Sequence, residues 1–202
     1  MEFRLGQTRL TIQFSFVAML ALSALLDPEG WGVLGLLAAL LHELGHLFCC
    51  LLLKQPPKAL HLTCFGPALL PGNRLPSQKQ ELLILLSGSG VNLLCAGICF
   101  GASLWLPKLA VFGGFHLLLG LLNLFPACGL DGGKALALCL EQHLEPPWDQ
   151  RLFCIIQFVF LILFTTFSLY WTIKNRLHWT GLVFCGYLWL AAILPGTERT
   201  TH

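Results

Sequence analysis

Polar residues are sparse along this chain of 202 residues, and they divide it into long apolar runs instead of short alternating ones. Uncharged or nearly uncharged stretches cover about 10–26, 31–53, 82–106, 109–126, 152–173 and 179–194. A helix needs about 20 apolar residues to cross a hydrocarbon layer about 30 Å thick. The pattern therefore predicts an all-α membrane protein, a six-helix transmembrane bundle forming one domain over residues 1–202, with the last span the shortest. Between the second and third runs, residues 54–81 carry prolines that forbid a continuous helix. Within them "ALHLTCF" (59–65) and "ALL" (68–70) look like short strands broken at Gly66-Pro67, a membrane-associated strand segment after helix 2. The stretch 141–151 reads as a polar loop joining the fourth and fifth spans.

Composition supports the membrane reading. Hydrophobic residues make up 56% of the chain and charged ones 11%, whereas a soluble domain carries about 25% charged residues. So few charges cannot cover a water-facing surface. The apolar part of the first run exceeds the 7–15 residues of a signal-peptide core, so an uncleaved first span is expected. With a cytoplasmic N-terminus, nine of the 12 Lys and Arg residues fall in inside segments, leaving Lys108, Lys174 and Arg176 outside. That bias follows the positive-inside rule and predicts a multi-pass protein of the cell membrane with its N-terminus in the cytoplasm. A net charge of +2 calls for no nucleic-acid partner. The nine cysteines show no paired spacing and read as small packing residues.

Against this background "HELGH", His42 to His46, stands out inside the second run. A charged residue at a helix centre costs roughly 2.5–3.5 kcal/mol on insertion scales, and Glu43 is the only acid within any of the six runs. On a helix, residues four apart share a face with Cβ atoms about 5–6 Å apart. Two imidazoles so placed can converge on one zinc ion. The acid following the first histidine can then act as general base toward water polarised by the metal. A bound dication also explains why hydrocarbon tolerates these groups. The bland alternative, polar groups merely hydrogen-bonded between helices, suits a lone histidine better than a complete HExxH motif.

A catalytic zinc needs a third protein ligand and an open position. Downstream, His116 lies within the fourth run and Asp131 just beyond it. At 1.5 Å per residue, His42 and His46 sit about 15–21 Å below the outer face, whereas His116 reaches only about 10 Å. Asp131 would be too deep on a straight helix, but Pro126 and Gly129 break the helix, and the chain can turn Asp131 back. Gly132-Gly133 would let the backbone come close.

HExGH on one predicted membrane helix, with N-x-x-P-x-x-x-x-D-G at Asn123 to Gly132, resembles the site-2 proteases, which are intramembrane zinc metalloproteases. The resemblance runs from about Trp31 to Leu140 and takes in "SGSGVN" (87–92), which is similar to the family's G-P-x-x-N element with Asn92 as its asparagine. Six spans with one ahead of the HExGH helix resemble most the stage IV sporulation protein FB branch. Ser89 stands where the family usually has proline, and Gly129 where that branch often has another. The branch's paired CBS domains and a PDZ-sized insertion are not expected here. The resemblance implies His42, His46 and Asp131 as zinc ligands, Glu43 as general base and Asn123 as the group holding the substrate carbonyl or oxyanion. Asn92 and Pro126 would be substrate-binding positions. Taken alone, Asn92 reads equally well as an interhelical hydrogen bond and His116 as a packed side chain.

The expected activity is zinc metalloendopeptidase cleavage of a membrane-tethered or transmembrane protein near the cytoplasmic face, a form of regulated intramembrane proteolysis. One zinc per chain, the lipid bilayer, a precursor substrate and a membrane regulatory partner are the implied associations. Two other classes compete: a catalytically silent membrane scaffold, which needs no metal, and a metal transporter, which needs polar groups along a whole path instead of one cluster. Among substrate contacts, the 59–70 segment, with "ALHLTCF" as its strand-like part, is the candidate for holding an opened substrate backbone.

Overall fold

The computed structural model describes residues 2–5, 8–12, 27, 30–57, 59–63, 66–70, 76–175 and 180–193. The chain divides into two compact units, 1–123 and 124–202. Of the expected first span, 10–26, only residues 10–12 are described, and they end a strand instead of opening a helix. The β-branched run "TRLTI" favours extended backbone there.

In the first unit, strands β1 (Glu2–Leu5), β2 (Thr8–Ile12), β3 (Ala59–Thr63) and β4 (Gly66–Leu70) form one sheet in that order. β1 pairs antiparallel with β2, β2 parallel with β3, and β3 antiparallel with β4; Leu10 faces Leu60 and Leu60 faces Leu69. The strand segment expected after helix 2 is present, joined by N-terminal residues that the apolar pattern does not mark as strand. A parallel pair needs a long crossover, here residues 13–58, so the chain departs from and returns to one sheet.

Three helices complete this unit: α1 (Trp31–Leu52), α2 (Gln78–Ala102) and α3 (Leu109–Asn123). Asp27 caps α1 through its carboxylate, which accepts the Gly32 N–H, while Gly30 turns the chain at φ +75°. Ser77 and Gln80 form a capping box on α2: the Ser77 N–H donates to Gln80 Oε1 (2.9 Å) and the Gln80 N–H to Ser77 Oγ (3.4 Å). This cap starts α2 four residues before the apolar run at 82. α2 packs against both α1 and α3. At the α1–α2 crossing a Cβ on Gly45 would lie 2.9 Å from Val91 Cγ2 and 3.0 Å from the Ser87 carbonyl. Small residues are what allow such a close approach in membrane helices.

The second unit holds α4 (Asp131–His143), α5 (Trp148–Asn175) and α6 (Thr180–Ile193). Its core is Ala127, Leu161 and Leu188, surrounded by Phe125, Leu130, Phe164, Phe184 and Trp189. Helix α4 falls partly where a polar loop is expected, and its opening Gly-Gly conceals it because glycine is a poor helix former. At 13 residues it is about 20 Å long, too short to cross a bilayer.

Three helices, Trp31–Leu52, Gln78–Ala102 and Trp148–Lys174, are long and apolar enough to cross a membrane, and Leu109–Asn123 and Gly181–Ile193 are shorter apolar ones. Five of the six expected spans thus coincide with helices, and the architecture is all-helical apart from the sheet. Eight cysteines among the described residues are free, as their spacing implies.

Candidate metal centre

Helical phase places His42 and His46 one turn apart on the buried face of α1. Their rings meet edge to face, with centroids 4.8 Å apart, and the two Nε2 atoms approach to 3.2 Å. Two nitrogens on a tetrahedral zinc at about 2.0–2.1 Å stand about 3.3 Å apart, so the pair already has the spacing that a metal requires. His46 Nδ1–H donates to the Ile84 carbonyl at 2.7 Å. A carbonyl can only accept, which fixes the proton on Nδ1 and makes Nε2 the nitrogen with a lone pair for a metal. Ser87 Oγ, 3.4 Å from the same Nδ1, donates to Ile84 O at 2.6 Å.

Space for an ion is kept by α2. A Cβ on Gly88 would lie 2.5 Å from His46 Nε2 and 2.8 Å from His42 Nε2. The missing side chain therefore leaves open the place that both nitrogens face. Donor type, nitrogen spacing and this cradle together fit a zinc ion. Glu43, adjacent to His42, is half-buried.

His42 Nδ1 is occupied by Asn92 on α2, whose amide Nδ2 is 3.3 Å away; Asn92 Oδ1 is in turn 3.0 Å from His116 Nδ1 on α3. Asn92 and His116 are both fully buried. Asn92, expected by resemblance on the substrate side, is placed between two imidazoles, which agrees with the plain interhelical reading of that residue. His116 is behind Asn92, its Nδ1 engaged there. Nothing in the sequence ties His116 to His42, because the connection runs through a third helix.

Asn123 ends α3, and its Nδ2–H donates to the Leu119 carbonyl of the same helix at 3.0 Å. In the second unit Pro126 lies in the turn 124–130 and Asp131 is the first residue of α4. An acid in the first turn is favoured by the helix dipole. Gly129 adopts φ +89°, a value closed to proline, whose ring holds φ near −65°. Glycine instead of proline at this position thus follows from the turn itself. Ser89 sits inside the unbroken helix α2, which a proline would interrupt. The next two glycines behave as their spacing implies: a Cβ on Gly132 would collide with the Leu124 backbone and one on Gly133 with that of Ala127. Gln157 on α5 secures the turn by accepting the Cys128 N–H at 3.2 Å.

No protein-family model matches the chain, and no curated protein sequence matches it. Among solved structures, the site-2 protease from Methanocaldococcus jannaschii matches at a TM-score of 0.62 with 19% identity, over 95% of this chain and 93% of that one. The likeness is one of fold: this chain has the architecture of a site-2 protease.

Proposed function

We propose that this protein is an intramembrane zinc metalloendopeptidase. The observation that carries the reading is the His42–His46 pair, with Nε2 atoms 3.2 Å apart facing the space left by Gly88. In this reading His42, His46 and Asp131 are the donors to the metal ion, and two imidazoles with one carboxylate suit zinc. Zinc, when bound there, would supply Lewis acidity toward a peptide carbonyl and acidify water. Glu43 is the base: its carboxylate takes the proton of the attacking water and then passes it to the leaving amine. Asn123 offers its second amide hydrogen to the developing oxyanion, a contact of about 3–4 kcal/mol where such donors have been removed elsewhere. Pro126 helps end α3 beside that residue.

The substrate in this reading is a membrane-tethered or transmembrane precursor cut near the cytoplasmic face, with control exercised by a membrane partner. The cell membrane, a cytoplasmic N-terminus and kinship with the stage IV sporulation protein FB branch belong to the same proposal, supported by the charge distribution and by the span order. The decisive experiment compares zinc content and cleavage of a co-expressed single-span protein in wild type and Glu43→Gln. The variant should keep one zinc and lose about 10²–10⁴-fold in rate, the usual worth of a general base. Cleavage by Glu43→Gln at the wild-type rate would refute the mechanism. Absence of zinc from the wild type would favour the scaffold.

A further inference from the structure

Asn92 and His116 have no part in the chemistry above, yet hydrogen bonds join these two residues, which have no exposure at all, to the metal-ligating ring of His42. We propose that Asn92 is a positioning residue that holds His42 in its metal-ligating tautomer, and that His116 anchors the Asn92 amide. The inference rests on the metalloprotease reading.

A neutral histidine that ligates through Nε2 must carry its proton on Nδ1. His46 meets this requirement through the Ile84 carbonyl, an acceptor that allows no other arrangement. At His42 the Nδ1 faces the Asn92 amide instead. An amide presents either an acceptor or a donor there, depending on a half turn that exchanges two atoms of nearly equal size. Nδ2 is the atom placed 3.3 Å from His42 Nδ1 and Oδ1 the one 3.0 Å from His116 Nδ1. The half turn that metal ligation requires puts Oδ1 toward His42, so that the ring's Nδ1–H donates to Asn92 and Asn92 Nδ2–H donates onward to His116 Nδ1, which accepts. His116 then carries its proton on Nε2, the nitrogen with no hydrogen-bond partner. One polarity therefore runs through all three residues, and each group that the chain joins is used once. The two ligands are thus oriented by different devices: a fixed backbone acceptor on His46 and an adjustable amide, backed by a third helix, on His42.

The test uses the purified full-length protein loaded with zinc, timing its loss to a chelator, with the cobalt-substituted visible spectrum as a second readout. Asn92→Leu, similar in volume but without polar atoms, should lose zinc about 10–100-fold faster, the usual penalty for removing a ligand's hydrogen-bond partner. Asn92→Asp can only accept from His42 Nδ1–H and should restore retention to within about threefold of wild type. His116→Leu, which leaves the amide in place but unanchored, should give a smaller loss than Asn92→Leu and a weakened tetrahedral cobalt band. If Asn92→Leu holds zinc as wild type does, Asn92 only fills space and the inference fails while the protease reading stands. If Asn92→Leu does not fold, Asn92→Asp decides: wild-type retention supports the role, and rapid loss from a folded protein overturns it. A wild type that binds no zinc refutes the metalloprotease reading, and this one with it.

Discussion

The histidine pair on α1 and the turn that presents Asp131 both depend on a missing side chain, but the two absences do different things. At Gly88 an added Cβ would meet ring atoms: His46 Nε2 at 2.5 Å, His46 Cε1 at 2.6 Å and His42 Nε2 at 2.8 Å. At Gly132 and Gly133 it would meet carbonyl oxygens and carbons of the main chain at Leu124 and Ala127. Side chains can rotate away from a methyl group; a packed backbone cannot. Gly88 therefore reserves space for a ligand, whereas the Gly132-Gly133 pair permits the fold of its own unit. A methyl in the first place should damage metal binding and spare the structure. In the second it should damage the structure.

The largest effect is expected at Gly88. Gly88→Ala should abolish zinc binding and cleavage, while thermal stability stays at or slightly above wild type, since alanine is favoured over glycine by about 1 kcal/mol within a helix. Gly90→Ala, two residues along α2 with nothing within 4 Å of its Cβ, is the matched control and should bind zinc normally. Metal analysis and a melting curve on both variants decide the matter. Zinc retained at wild-type affinity by Gly88→Ala would remove the distinction between the two sites.

Next in size come Gly132→Ala and Gly133→Ala. Overpacking against a backbone that cannot yield should destabilise the second unit by about 3 kcal/mol, lowering its melting temperature or preventing its accumulation. Asp131→Ala, by contrast, removes a half-buried carboxylate and adds no atoms against the backbone, so it should release zinc from a protein that still folds. Equal melting temperatures for Gly133→Ala and wild type would show that this turn tolerates a side chain.

These differences explain how much could be read from the chain alone. His42, Glu43 and His46 were legible because helical period converts a four-residue spacing into a shared face, a local rule that requires no knowledge of neighbours. The long helices were legible for a similar reason, since length and apolarity are properties of one segment. Asn92 and His116 were not connected, because their relation to His42 is set by how three helices cross. Helix α4 was obscured by glycines whose purpose, contact with the Leu124 and Ala127 backbones, lies outside their own segment. β1 and β2 were missed because an apolar-length criterion takes residues 10–12 for the start of a span, and strand pairing with residues 59–62 is nonlocal.

A smaller effect separates the turn's geometry from its packing. Gly129 has open space around its Cβ but a φ of +89°. Gly129→Ala should therefore cost only about 1–2 kcal/mol, from backbone strain alone. Gly129→Asn should cost less than Gly129→Ala, because asparagine tolerates positive φ better. A loss from Gly129→Ala as large as that from Gly133→Ala would show that strain and collision are not separable here.

The smallest expected effect concerns the sheet. A peptide bond inside a helix is shielded by its own hydrogen bonds, so a substrate must open before water can attack. In hydrocarbon each freed backbone group costs several kcal/mol unless it finds a partner, and an exposed strand edge supplies partners by β-addition. Within the 59–70 segment, β3, which holds most of "ALHLTCF", is paired on both sides, with β2 and with β4. Among the described residues the outer strands of the sheet are β1 and β4, and β4 contacts α1, the helix carrying the histidines. Substrate docking is therefore expected on β4. Proline removes one donor from a strand and is tolerated at an edge when that N–H points away from its neighbour; β4 already contains one, Pro67. Proline introduced in turn at Ala68, Leu69 and Leu70 should give an alternating pattern. Where the lost N–H faces outward, kcat/KM should fall about three- to tenfold, which is at most about 1.4 kcal/mol of transition-state stabilisation, with zinc content unchanged. The corresponding scan of β3 should lower stability instead, because each of its ladders loses a bond. If no β4 proline changes cleavage of a protein that keeps its zinc, β4 is not the docking edge, and the sheet serves only to tie the N-terminal strands to the segment after α1.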